Sequence, residues 1–182
     1  MSRKKCYGVD YSALFLLSKK QGGKAMIDVV KNLHGYAFPS KVLSGIGGGH
    51  IYNITTTANH DNGVLVGRGT WNSFDNYNEA AVAASNDFTG VIREQNIDDA
   101  DLWYCEVTSN TELLFVYNSP ISEYEQEEFQ DLALFYNKAG EVVKAYSLVK
   151  GDIIMLSTAL FDGTPAANKA LTFKNGKYVV GS

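Results

Sequence analysis

The chain has 182 residues, a formal net charge of −4 and 45% apolar residues, with eleven Tyr, nine Phe and only three Pro. That is enough apolar material for the core of one domain plus an extension, and it is too aromatic and too poor in proline for a disordered chain. The mild acidity argues against nucleic acid as the partner of the chain as a whole.

The charge is unevenly spread. Residues 1–48 hold eight basic groups (Arg3, Lys4, Lys5, Lys19, Lys20, Lys24, Lys31, Lys41) against Asp10 and Asp28, about +6. The remainder holds eight basic and 18 acidic groups, about −10. The pattern predicts a basic N-terminal arm over 1–48 and an acidic, β-rich domain over 49–182. Within the arm, Tyr7–Leu17 is apolar and aromatic and Gly22-Gly23 marks a turn. Met26, Val29, Val30 and Leu33 fall at i, i+3, i+4 and i+7, a short helical stripe that packs on its own domain or on a partner. The string Gly45-Ile46-Gly47-Gly48-Gly49 reads as a hinge. The run Ala13–Leu17 is too short for the apolar core of a secretory signal, and no stretch has the length of a transmembrane helix, so a cytoplasmic protein is expected. Cys6 and Cys105 are then two free thiols.

From residue 50 onwards short strands alternate with turns. His50–Thr57 is the first strand, and Asp61-Asn62-Gly63 turns into Val64-Leu65-Val66. Asn72-Ser73-Phe74-Asp75 is read as the cap of a helical turn reaching Ala80–Ala84. Phe88–Glu94 is a strand, Asn96–Asp101 an acidic loop, and Leu102–Val107 with Glu112–Tyr117 a hairpin about Thr108-Ser109-Asn110. Ser122 and Glu125 form a capping box, and Tyr124–Tyr136 has helical spacing, which predicts one short helix near 122–136. Turns at Lys138–Glu141 and Lys150–Asp152 lead into strands Val142–Leu148 and Ile153–Leu156. Asn175-Gly176 between Leu171–Phe173 and Tyr178–Val180 predicts a type I′ hairpin. The fold class is mainly β, a sandwich or barrel, with that helix and an extended arm.

Chemistry-bearing patterns are sparse. The glycine run lacks the Gly-Lys-Ser/Thr and the following helix of a phosphate loop. His34, His50 and His60 are badly spaced for a metal site, and His60-Asp61 reads as a surface pair. Glu123, Glu125, Glu127 and Glu128 split between two helix faces and read as a solvated surface. Asp98, Asp99 and Asp101 lack EF-hand spacing. Neither Cys has neighbours that would make a thiolate nucleophile. No catalytic residue, metal or cofactor is expected. Trp71, Tyr77, Trp103 and Tyr104 are candidates to stack on sugars, against the plainer reading of core packing.

Several segments of the body carry a resemblance. They are Asp61–Gly67 (DNGVLVG), Trp71–Tyr77 (WNSFDNY), Phe88–Ile92 (FTGVI), Phe135–Tyr146 (FYNKAGEVVKAY), Lys150-Gly151-Asp152-Ile153 and Phe161-Asp162-Gly163-Thr164-Pro165. Together they resemble structural proteins of tailed-bacteriophage heads, of the capsid decoration, auxiliary or head-fibre class, over roughly Gly49 to Val180. The resemblance implies a virion protein on the capsid surface that binds assembled major capsid protein and decorates or stabilises the head. It implies no catalytic residues; the absence of a transmembrane-length stretch and the acidic net charge argue against a membrane and nucleic acid as partners. The expected contacts, with major capsid protein or neighbouring copies, are Lys4, Lys5, Tyr7, Tyr11, Phe15, Leu16, Lys19 and Lys20 of the arm. The alternatives are a carbohydrate-binding β-domain used for attachment, an enzyme with a dispersed site, and a nucleic-acid binder acting through the arm.

Overall fold

A computed structural model describes residues 34–47, 50–80, 87–119 and 134–181, and they are mainly β. Strand β1 (Ala37–Lys41) leads into a single helical turn, α1 (Leu43–Gly47). β2 (Ile51–Thr55), β3 (Leu65–Trp71) and β4 (Asn76–Ala80) follow, then β5 (Phe88–Gln95), β6 (Leu102–Asn110), β7 (Leu113–Val116) and β8 (Val142–Ser147). β9 (Ile153–Ser157) runs through a 3-10 turn into β10 (Phe161–Asp162). β11 (Ala170–Lys174) and β12 (Lys177–Val180) end the described chain.

These strands make a seven-stranded sheet, ordered β1-β9-β6-β5-β11-β12-β10, and a closed five-stranded barrel, β2-β4-β3-β7-β8. Neighbours are antiparallel except β2 with β4 and β10 with β12. Register sorts the barrel side chains. Ile54 lies opposite both Val143 and Tyr77, Tyr52 opposite Ala145, and Val66 opposite Leu114, so these share the inner face. Leu65 and Phe115, paired on the reverse face, are fully buried as well. The runs Val64-Leu65-Val66 and Leu113-Leu114-Phe115-Val116 are buried throughout because β3 and β7 have barrel on one side and sheet on the other.

Two contacts fix that junction. The Tyr178 hydroxyl donates to the Gly63 carbonyl at 2.7 Å, and its ring packs edge-on against Phe88 and Phe173 at 5.5 and 5.1 Å between centroids. Gly63 has φ +94°, and a Cβ there would come within 2.6 Å of the Ala37 methyl and 2.8 Å of Leu160. Only glycine tolerates both the left-handed backbone and the close approach.

The structure corrects several expectations. β6 and β7 are not a hairpin: β6 extends to Asn110 and pairs with β5 and β9, whereas β7 pairs with β3 and β8. The chain changes sheet there, and Asn110 Nδ2 holds the crossing by donating to the carbonyls of Leu113 (2.9 Å) and Leu148 (3.0 Å). Asn72–Asp75 turns β3 back into β4 and Ala80 belongs to that strand, while residues 81–84 of the expected helical turn lie outside the described residues. The arm cannot extend to residue 48, because β1 is an edge strand of the sheet, paired with β9, and Tyr36 bonds Ser157 in both directions. Part of the glycine hinge is the turn of α1. Of the helix expected over 122–136, residues 122–133 lie outside the described residues, and Phe135 and Tyr136 are irregular. The Asn175-Gly176 hairpin is as expected, with φ +52° and +75° and Lys174 opposite Lys177.

Removing the Tyr178 hydroxyl leaves a buried carbonyl without its donor, so Tyr178→Phe should cost about 1–2 kcal/mol by urea unfolding. Gly63→Ala should cost about 2–4 kcal/mol, from left-handed strain and overlap with Ala37 and Leu160. An unchanged midpoint for either would remove the junction from its structural role.

Candidate functional site

The contact residues expected from sequence, Lys4, Lys5, Tyr7, Tyr11, Phe15, Leu16, Lys19 and Lys20, all lie outside the described residues, as do Cys6 and Glu123 to Glu128. The candidate surfaces below belong to the body.

One is a polar hub on the loop between β2 and β3. His60 and Asp61 do not form the expected surface pair, because each is committed elsewhere. His60 Nε2 meets Glu79 Oε1 at 2.8 Å, and both side chains are largely buried. Glu79 Oε2 also accepts from the Thr57 amide (2.6 Å) and hydroxyl (2.9 Å). Asp61 takes His34 Nδ1 and the Gly35 amide, both at 2.8 Å, and His34 stacks on Tyr136 at 4.8 Å. Asn137 Nδ2 bonds Asn62 Oδ1 (3.1 Å), and Asn62 pairs with the backbone of Asn118 in both directions. One loop thus ties together residues 34–35, 118 and 136–137. Its carboxylates are used for structure.

The acidic loop is likewise self-contained. Asn96 Oδ1 accepts from the amides of Asp98 (2.8 Å) and Asp99 (3.2 Å), Asp99 Oδ1 from that of Asp101 (3.0 Å), and the Tyr36 hydroxyl donates to Asp99 Oδ2 (3.3 Å). Burial, then the carboxylates of Asp101 and Asp99, hold the Tyr36 hydroxyl far above the ordinary tyrosine range. Among the described residues no group of three His, Cys, Asp or Glu side chains converges on a metal position. A groove of about 600 Å³ beside β1 is lined by Lys41, Arg93, Glu94, Asp98, Tyr104 and Glu106 among others. Arg93 is neutralised there by Glu106, at 2.7 Å through Nε and 2.6 Å through Nη2.

The remaining surface is aromatic and lies where β2, β3 and β4 meet at one end of the barrel. Trp71 stands edge-to-face with Tyr77 (5.0 Å, 84°), and Tyr77 with Tyr52 (5.9 Å, 80°). The Arg68 guanidinium lies 4.8 Å from the Tyr52 ring centre and 5.4 Å from that of Tyr77. A β-bulge assembles this group. Arg68 is opposite Glu79 and Trp71 opposite Tyr77, so three steps on β3 match two on β4. Without the extra residue, Arg68 and Trp71 would point to opposite faces. Gly69 makes the bulge fit, since a Cβ there would stand 2.5 Å from the Asn78 carbonyl oxygen. Of the four aromatics marked in the sequence, Trp71 is 55% exposed, Tyr77 and Trp103 pack partly buried against the core, and Tyr104 lines the groove. Tyr52 and Arg68 carry no sequence signal, because register alone brings them to Tyr77.

Among the described residues no helix is long and apolar enough to cross a membrane. Compared with protein-family models, with curated proteins and with solved structures, the chain matches none.

Cys105 is buried and free. It packs in the core, and burial pushes its thiol from 9.0 up to about 12. In a Cys6→Ser chain it should resist a disulfide-exchange reagent at pH 8 until the protein is unfolded. The unfolded chain loses this proton near pH 9 and the folded one only near 12, so the contribution of Cys105 to stability is constant below 9 and falls as pH rises between them. The buried Tyr178 hydroxyl, raised chiefly by desolvation, acts in the same direction above pH 10. Urea midpoints measured from pH 8 to 11 should decline less steeply in Cys105→Ala than in the native chain.

Proposed function

We propose that the protein is a virion structural protein that binds assembled major capsid protein at the head surface and decorates or stabilises the shell. The carrying observation is the opposition of charge along the chain. Residues 1–33 hold seven basic groups against two acidic ones, and they run into an acidic body through the edge strand β1. The resemblance to head decoration and head-fibre proteins supports the same reading. So does the use made of the body's carboxylates: Glu79, Asp61 and Glu106 are bound to His60, His34 and Arg93, an arrangement for holding shape. Repetition on a symmetric shell makes weak single contacts sufficient.

A second reading, a carbohydrate-binding β-domain used for attachment, draws on the exposed Trp71 and the aromatic group behind it.

Purified full-length protein mixed with heads lacking it should co-sediment saturably, at a fixed ratio to the major capsid protein. Reversing four arm charges (Lys4, Lys5, Lys19 and Lys20→Glu) should lower occupancy at least tenfold at low salt while the far-ultraviolet circular dichroism stays unchanged. Absence of pelleting by the native chain would reject the decoration role, and full occupancy by the variant would reject the arm as its means.

A further inference from the structure

Arg68 is an arginine prepared for an anion it does not have in this chain. Its cross-strand neighbour is Glu79, the natural partner for a salt bridge. Yet Glu79 turns away to His60 and Thr57, with both carboxylate oxygens occupied. Arg68 makes no salt bridge and no side-chain hydrogen bond among the described residues, and its side chain is exposed. It is not loose, because the guanidinium rests over the faces of Tyr52 and Tyr77. The two rings hold the cation by its π-contacts, and no acceptor among the described residues takes its N–H groups, which leaves them for a carboxylate or phosphate that a guanidinium can receive through two parallel bonds.

Two large apolar side chains of the same hairpin stand largely in solvent. Trp71, brought to the same face by the Gly69 bulge, is 55% exposed. Phe74, at the tip of the β3–β4 turn, is 98% exposed and sits at φ +50°, followed by Asp75 at +57°. A bulky residue in the left-handed region is strained, and a wholly exposed ring returns no burial to offset it. The turn is nevertheless fixed, by Asn53 Nδ2 donating to the Asp75 carbonyl (3.1 Å) and the Asn72 amide to the Asn76 carbonyl (2.8 Å). Asp75, the other acid of this hairpin, is exposed to solvent, where screening limits its opposition to an anion.

We propose that this end of the barrel is a binding site for an acidic saccharide, with Arg68 gripping the anionic group and Trp71 stacking on the sugar ring. The proposal rests on the carbohydrate-binding reading and adds the ligand's charge. A pyranose ring with an apolar C–H face and an attached oxyanion matches an exposed indole near an unpaired guanidinium, and a neutral sugar would leave that guanidinium idle. Because the body as a whole is acidic, direct contacts and not long-range attraction must hold the ligand. Tyr52, Tyr77 and Gly69 are positioning residues: the first two orient the guanidinium, and Gly69 sets the face on which Trp71 emerges.

The test is titration of the full-length chain with 3′-sialyllactose and trigalacturonic acid, each against its neutral counterpart (lactose and α-1,4-galactotriose), followed by calorimetry and Trp fluorescence. The expected result is saturable binding of at least one acidic probe, at least about tenfold tighter than its neutral counterpart. Arg68→Gln should lose that preference, Arg68→Lys should restore only part of it, and Trp71→Ala should abolish the fluorescence change, with unfolding midpoints of all three close to native. Equal binding of acidic and neutral probes would overturn the role given to Arg68 while leaving a carbohydrate site. No binding of any probe at millimolar concentration would overturn both. Binding confined to phosphatidylserine vesicles, against phosphatidylcholine controls, would overturn the saccharide in favour of a lipid surface.

Discussion

The structure depends on the close approach of a barrel to a sheet at Gly63. Two β-layers share one hydrophobic core only if their walls come within side-chain contact, and here β3 and β7 are the shared wall. Gly63 permits the contact by having no side chain. Tyr178 secures it by filling the adjacent space with a ring and satisfying the carbonyl that the approach would otherwise strand. Leu65 and Phe115 are buried on the face turned to the sheet, and Val66 and Leu114 on the face turned into the barrel, as consequences of that geometry.

The polar hub performs a complementary task at the rim. A chain that changes sheet repeatedly has many loop ends whose backbone groups need partners. Asp61, Asn62 and Asn137 supply them with short side chains, joining the entry to β1, the exit from β7 and the approach to β8. That work occupies residues which, seen as a list, look like the raw material of acid–base chemistry. The same commitment draws Glu79 away from Arg68. The His60–Glu79 contact on one side of β4 thereby leaves an unpaired guanidinium on the other, and the body's most distinctive surface follows from it.

The two functional proposals place different parts of the chain in contact with different partners. The basic arm is assigned to the shell, and the aromatic end of the barrel to a ligand. Nothing in the geometry makes them exclusive, since Arg68 and Trp71 are on the barrel and the arm joins the chain through β1 on the other sheet.

What the sequence by itself determined were the local matters. Alternation and turn residues decided the β class, and the Asn175-Gly176 hairpin followed from a dipeptide whose two residues both accept positive φ. The Lys150-Gly151-Asp152 turn and the strand after it were legible for the same short-range reason. The division of charge between the ends of the chain is also a property of sequence alone. Tertiary structure decided everything that needs two distant segments to meet. It joined β1 to the sheet although the charge pattern grouped it with the arm, because a strand is defined by its partner, and β9 lies more than a hundred residues away. It separated β6 from β7, which look like a hairpin, because buried faces on two different layers outweigh proximity in the chain. It also made the Arg68 site, since a one-residue bulge at a glycine reverses which face a tryptophan occupies, and no local pattern encodes the strand opposite.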